Sequence, residues 1–166
     1  EIQGERFSLP HLYRLRDWCA AHVYRYARRI AEPTDALTLL TYAAEQAMVQ
    51  LARLPDGRLA PVRWFDLAGD ALDIKEADCM AEPGIGWADR IENRILLNYR
   101  EGPGGATRSL AAHAGNSRYC RRGLAAIKRE NKVSLDAFWI RDDDTAAMLL
   151  ADYTRRYAMP RRVIQI

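Results

Sequence analysis

Leu12, Leu15, Cys19, Val23, Tyr26 and Ile30 recur every three or four residues, with Arg14, Asp17, Arg25, Arg28 and Arg29 between them. That period places the apolar side chains on one face and predicts an amphipathic helix over roughly 10–30. Ser8 stands as its N-cap, Pro10 in its first turn and Glu32-Pro33 at its end. Trp18 and His22 flank the stripe. A second helix is predicted from Thr34-Asp35, with Thr34 as cap and Asp35 favoured at the positive end of the helix dipole. Its stripe runs Leu37, Leu40, Ala44, Met48 and Leu51, and Pro55-Asp56-Gly57 forms the turn that stops it. Arg58 to Asp66 reads as extended, and Pro61, which lacks a backbone donor, assigns that strand to an edge. The stretch 67–90 carries no clear period and fits either a short strand or a helical turn.

The segment 91–100 has the strongest alternation. Ile91, Asn93, Ile95, Leu97 and Tyr99 occupy one face and mostly polar residues the other. Glu101-Gly102-Pro103-Gly104-Gly105 breaks it. Residues 106–120 fit helix or loop, 123–132 fit a strand or a helical turn, and 133–140 reads as extended. A third helix opens at Asp142-Asp143-Asp144-Thr145, with Ala146, Leu149, Leu150, Tyr153 and Tyr157 as its stripe and Arg155 and Arg156 in its last turn. Met159-Pro160 ends it, and Val163-Ile164-Ile166 enters a final strand. The pattern as a whole predicts an α+β fold, an antiparallel or mixed sheet with about three helices packed on it. Residues 1–33 form an N-terminal helical segment and 34–166 the main domain.

Composition adds bounds. At 166 residues, 49% hydrophobic, the chain suffices for one domain with a packed core. Mean hydropathy is -0.34 and no apolar run reaches the roughly 18 residues of a membrane span. The first residues lack the basic-then-apolar layout of a secretory signal. The absence of an initiator Met and the strand-like end at Ile166 lead us to expect a mature product or a piece cut from a longer polypeptide. Cys19, Cys79 and Cys120 are odd in number and far apart, which argues for free thiols rather than a disulfide framework or a zinc site.

Charge is uneven. Residues 1–83 carry 10 basic and 13 acidic groups, whereas 84–166 carry 15 and 9. Arg118, Arg121, Arg122, Lys128, Arg129 and Lys132 cluster against Glu130 alone. They form a candidate contact surface for phosphate or an acidic protein, with a solvated face as the plain alternative. Trp64, Phe65, Trp87, Phe138, Trp139 and Tyr153 fit a base-stacking platform or, as strand aromatics usually do, a core or subunit interface.

The remaining motifs give little chemistry. The three aspartates read as a cap with two acids in the first helical turn, because adjacent carboxylates do not converge on one ion without a special loop. Gly102 to Thr107 lacks the Gly-Lys-Ser/Thr ending of a phosphate loop. His11, His22 and His113 do not pair at helical spacing, and a Cys120–His113 nucleophile pair has no support in the sequence. We therefore expect no enzyme activity and no metal or other cofactor.

Several segments resemble one family. Ile91-Glu92-Asn93-Arg94-Ile95-Leu96-Leu97-Asn98-Tyr99 is similar to the I-x-N-x-I-x-V-x-Y strand of phage tail hub and tail-tip proteins. Ser117-Arg118-Tyr119-Cys120 resembles that family's Ser-x-x-Tyr-Gly turn, with Cys120 where the family carries Gly. Phe138 to Ala146 is similar to its W-I-x-D-x-x-T-A helix start, and Tyr157 to Val163 to its R-Y-x-x-P-R-x-V exit into a strand. Upstream, a helix followed by Asp56-Gly57-Arg58-Leu59 resembles the family's helix and D-G-x-L hairpin. The resemblance covers 34–166 and implies a non-enzymatic structural protein of a phage or prophage tail. Its parent would form a trimer or ring, located in the virion tail and in the host cytoplasm during assembly. It would join the tube to a spike or fibre through contacts with other tail proteins. The rival reading, from the basic cluster alone, is a small nucleic-acid-binding protein.

Overall fold

Pairing and helix formation give the order α1 (Leu9–Ala21), α2 (Ala36–Gln46), β1 (Val49–Arg53), β2 (Leu59–Arg63), β3 (Gly84–Trp87), β4 (Arg94–Arg100), β5 (Thr107–Ala112), α3 (Arg118–Ile127), β6 (Lys132–Ala137), α4 (Asp143–Tyr157) and β7 (Arg162–Gln165). The computed structural model describes residues 7–25, 35–63, 84–87, 90–100, 105–160 and 162–165. The fold is α+β. Among the described residues β1 pairs with β2, β3 with β7, and three strands form a sheet in the order β5-β4-β6. The chain divides into two compact units. The first comprises Glu1–Asp66, Leu97–Leu110 and Asp136–Leu149, the second Leu67–Leu96, Ala111–Leu135 and Leu150–Ile166.

In the first unit, β1 and β2 are antiparallel, with Val49 opposite Arg63 and Arg53 opposite Leu59. Gly57 closes the turn between them at φ 82°, a conformation open to Gly at no steric cost. Pro61 lies in β2 opposite Leu51. A two-stranded ladder has only edges, so the missing donor leaves no central strand short of a bond. Helix α1 packs on β2, and the Ser8 N–H donates to the Leu59 carbonyl at 2.8 Å. Its stripe of Leu12, Leu15 and Cys19 is half-buried, as the spacing predicts.

Both N-terminal helices are shorter than their periods suggest. Helix α1 ends at Ala21, and Val23 takes φ 52°. That left-handed turn leaves Val23 58% exposed and drives Tyr24 into the core, where its hydroxyl donates to the Gln46 carbonyl at 2.6 Å. Tyr26 and Ile30 lie outside the described residues. Helix α2 is capped by Asp35 rather than Thr34: the carboxylate accepts from the Thr38 N–H at 2.8 Å. The helix stops at Gln46, and Met48, at φ 53°, turns the chain into β1. Leu51 thus serves the hairpin instead of the helical stripe, beside Val49. Hairpin pairing with Leu59–Arg63 across a strong turn outcompetes the continued helix.

Around Gln46 the first unit is tied together by long-range hydrogen bonds. The Gln46 Oε1 accepts from the Trp139 N–H at 3.1 Å, and Trp139 packs on Tyr42 with ring centroids 5.9 Å apart. The Arg25 N–H reaches the Thr145 hydroxyl at 3.0 Å. In β4 the alternation is realised as predicted, with Ile95, Leu97 and Tyr99 buried. Burial of each such side chain favours folding by roughly 1.5–3 kcal/mol. The strand begins at Arg94, so Ile91 to Asn93 lie in the segment that leads into it.

Residues 106–120, expected as helix or loop, instead open with the strand β5, whose pairing with β4 decides them, before a turn leads into a fourth helix, α3; α3 also takes the first part of 123–132, expected as a strand or a helical turn. The helix read from Asp142 is α4, with Asp142 accepting from the Thr145 N–H and hydroxyl, both at 2.9 Å. The final strand pairs as β7 with β3, the one regular segment described within the unclear stretch 67–90.

Candidate contact surface

The basic cluster belongs to α3 and to the segment that follows it. A turn at His113–Asn116 starts the helix: the Asn116 amide oxygen accepts from the His113 N–H at 2.8 Å, and the His113 carbonyl accepts from the Ser117 N–H at 2.9 Å. Ser117 is the N-cap, accepting from the Cys120 N–H at 3.4 Å, and Lys128 ends the helix in the left-handed conformation, φ 56°. The buried side is Cys120 and Gly123, with Leu124 and Ile127 half-buried. A Cβ on Gly123 would stand 1.8 Å from the Ala158 carbonyl oxygen, so only Gly permits this seat against the chain just beyond α4.

With that side packed, the cations face water. Arg118, Arg121, Arg122, Lys128, Arg129 and Lys132 are all exposed, and all belong to the second unit. Two are anchored. Arg118 donates to the Tyr119 hydroxyl at 2.8 Å and lies over that ring at 4.8 Å; Arg121 donates to the Ala114 carbonyl at 3.2 Å. The Arg118 hydrogen bond, with the fields of Arg155 and Arg122, lowers the Tyr119 phenol below its ordinary range. Arg155, exposed on α4, adds its positive field at the same phenol, an influence that spacing alone could not reveal.

The loop that carries Lys128 and Arg129 is fixed from below by two asparagines. Asn93 is 2% exposed; its amide donates to the Arg129 carbonyl at 2.8 Å and its oxygen accepts from the Asn131 N–H at 2.9 Å. Asn131 answers by donating to the Ile91 carbonyl at 2.8 Å. Arg94 pairs with Glu130 at 2.8 Å. That bond holds the Glu130 carboxyl below its usual range, with Lys132 and His113 adding to the effect. The lone acid of the cluster is thus already paired by a β4 residue that the sequence reading did not connect to it.

A second polar group secures α4. Tyr153 donates to Glu92 at 2.6 Å, Arg90 donates to the same carboxylate, and Arg90 also reaches the Tyr153 hydroxyl at 3.1 Å. Burial first, and then the bond to Glu92, pushes the Tyr153 phenol above its ordinary value. Every partner here is internal, so the group reads as a structural joint.

The other candidate residues find local roles. Asp143 accepts from the Tyr99 hydroxyl at 2.7 Å and from Arg108 at 3.2 Å, beside the Asp142 cap. His22 is exposed but stacks on Trp18, centroids 4.4 Å apart. Ser8 and His11 share a hydrogen bond at 2.8 Å. Cys19 and Cys120 are free thiols, and burial raises both, which works against a nucleophilic thiolate. Trp139 and Tyr153 are buried core residues, and Arg100 lies over Phe138 at 4.9 Å, so these three do not form an open stacking platform. Trp64, Phe65, Cys79 and the Gly102–Gly104 turn, with the side chain of Trp87, lie outside the described residues. No candidate helix is long and apolar enough to cross a membrane among those described.

Comparison with protein-family models and with curated proteins returns no match.

Proposed function

We propose that this chain is a non-enzymatic structural component of a phage or prophage tail, of the hub or tail-tip kind, acting through protein–protein contacts. One observation supports the reading most directly. The residues that carry the resemblance serve as joints: Asn93 clamps the loop at Arg129 and Asn131, and Asp142 caps α4 through Thr145. A family signature made of joints preserves a scaffold, and the exposed side chains around it are then left to meet partners. The apolar residues Leu9, Tyr13 and Leu96 are exposed and available for such contacts. Sedimentation velocity across a concentration series tests this: self-association is expected, and a strict monomer for both this chain and its full-length parent overturns it.

The second reading is a basic nucleic-acid-binding protein. It is favoured by the placement of Arg118, Arg121, Arg122, Lys128 and Arg129 on the exposed side of one helix and its following loop. Duplex DNA binding at low salt should then weaken with a steep slope as salt rises, and alanine at these positions should flatten that slope. Absence of binding at low salt removes this reading.

A further inference from the structure

We propose that the open face of the β5-β4-β6 sheet, in its second-unit portion, is a docking groove for an extended acidic segment of a partner protein that also carries aliphatic side chains. The alternation of β4 turns Ile95 inward and leaves Leu96 outward, 42% exposed. Around it lies an open groove of about 370 Å³ to which β5 contributes Ala111, β6 contributes Lys132 and Ser134, and Arg94 and His113 contribute the remaining polar wall. An aliphatic floor with a polar rim is the usual make-up of a recognition site.

Charge identifies the occupant. Arg94, His113 and Lys132 all act on one carboxylate, Glu130, and Arg94 is the group bonded to it. The rim therefore keeps an excess of positive charge after its internal pair is made. His113 is also preset. Its Nδ1 accepts from the Gly115 N–H at 3.1 Å, and a Cβ on Gly115 would lie 2.9 Å from the ring. With Nδ1 so occupied, the neutral ring carries its proton on Nε2 as a donor.

An extended peptide alternates its side chains with a period of two. One set can rest on Leu96 and Ala111 while carboxylates of the same segment meet Lys132 and His113. Among the described residues no aromatic side chain lines the groove for bases to stack on, and its positive rim favours an acidic peptide over a nucleic acid. The inference stands on the groove's own chemistry and does not depend on the tail reading.

The test titrates the 166-residue chain with a fluorescein-labelled alternating Asp-Leu octapeptide at low salt, reading anisotropy and backbone amide shifts. Binding is expected, with shifts centred on Leu96, Ala111 and Lys132. Lys132→Glu and Leu96→Ser, both at exposed positions, should each weaken it about tenfold, while Arg14→Glu, at an exposed position on α1, leaves it unchanged. Circular dichroism confirms that the variants stay folded. The proposal is overturned if the peptide fails to bind, or if an Asn-Leu octapeptide binds as well. Shifts that fall on α3 instead, or oligothymidylate binding the groove more tightly than the peptide, also overturn it.

Discussion

Helices α1 and α3 present opposite outcomes of the same rule. The apolar period of α1 is easy to read, yet the helix contains no buried residue, and Leu9 and Tyr13 are 57% and 53% exposed. The segment of α3 is ambiguous in the sequence, yet the helix buries Cys120 and Gly123 completely enough to fix its rotation and turn its arginines outward. The difference lies in what each helix packs on. Helix α1 lies on β2 of a two-stranded hairpin, and Trp18 is covered by Arg63, whose guanidinium stands 3.2 Å from the ring centroid. Helix α3 is drawn against a carbonyl at a distance no side chain allows. An apolar stripe therefore states a preference for a face, and the partner surface decides how much of it is buried.

The comparison breaks most sharply at Gly123. Gly123→Ala forces a Cβ into the Ala158 carbonyl and should cost at least ~3 kcal/mol, read as a lower urea midpoint. A midpoint unchanged by this substitution would mean that α3 is not seated so closely. Next comes Asn93→Ala, which leaves the Arg129 carbonyl and the Asn131 N–H without their partner. A loss of about 2–3 kcal/mol is expected, with faster amide exchange at Asn131.

Tyr153→Phe removes a donor from buried Glu92 and should cost about 1–2 kcal/mol. It also sets a pH test. The Tyr153 phenol is raised in the folded state, so its contribution is complete below the ordinary phenol value of 10.0 and declines as pH rises above it. Unfolding free energy should therefore fall on the alkaline side, and less steeply in Tyr153→Phe; equal slopes would remove this assignment.

On α1 the effects should be small. Leu12→Ala, at a half-buried position, should cost about 1 kcal/mol. Leu9→Ser should stay within about 0.5 kcal/mol in dilute solution. A larger loss for Leu9→Ser that grows with protein concentration would show α1 covered by a second copy, which would sharpen the proposal of self-association.

Much of the fold was legible wherever a short period or a turn residue decided it. The buried row Ile95, Leu97 and Tyr99, the cap at Asp142 and the turn at Asp56-Gly57 each depend on residues within a few positions. The basic surface was half legible: the charges of Arg118 to Lys132 were visible, but not the pairing of Arg94 with Glu130 or the approach of Arg155 to Tyr119. Helix ends misled for a related reason. Leu51 satisfies a helical stripe and a strand equally well, and only pairing with β2 separates the two.

By itself the sequence determined the α+β class, the inward face of β4, the start of α4 and the excess of positive charge in its second half, because each follows from neighbouring side chains and local backbone preference. The tertiary structure alone decided where α1 and α2 stop, that the segment from Arg118 is a helix, and that Asn93 holds the loop bearing Lys128 and Arg129. Those outcomes rest on partners tens of residues away, such as Asn93 and Arg129, which chain folding must bring together before their hydrogen bonds can form.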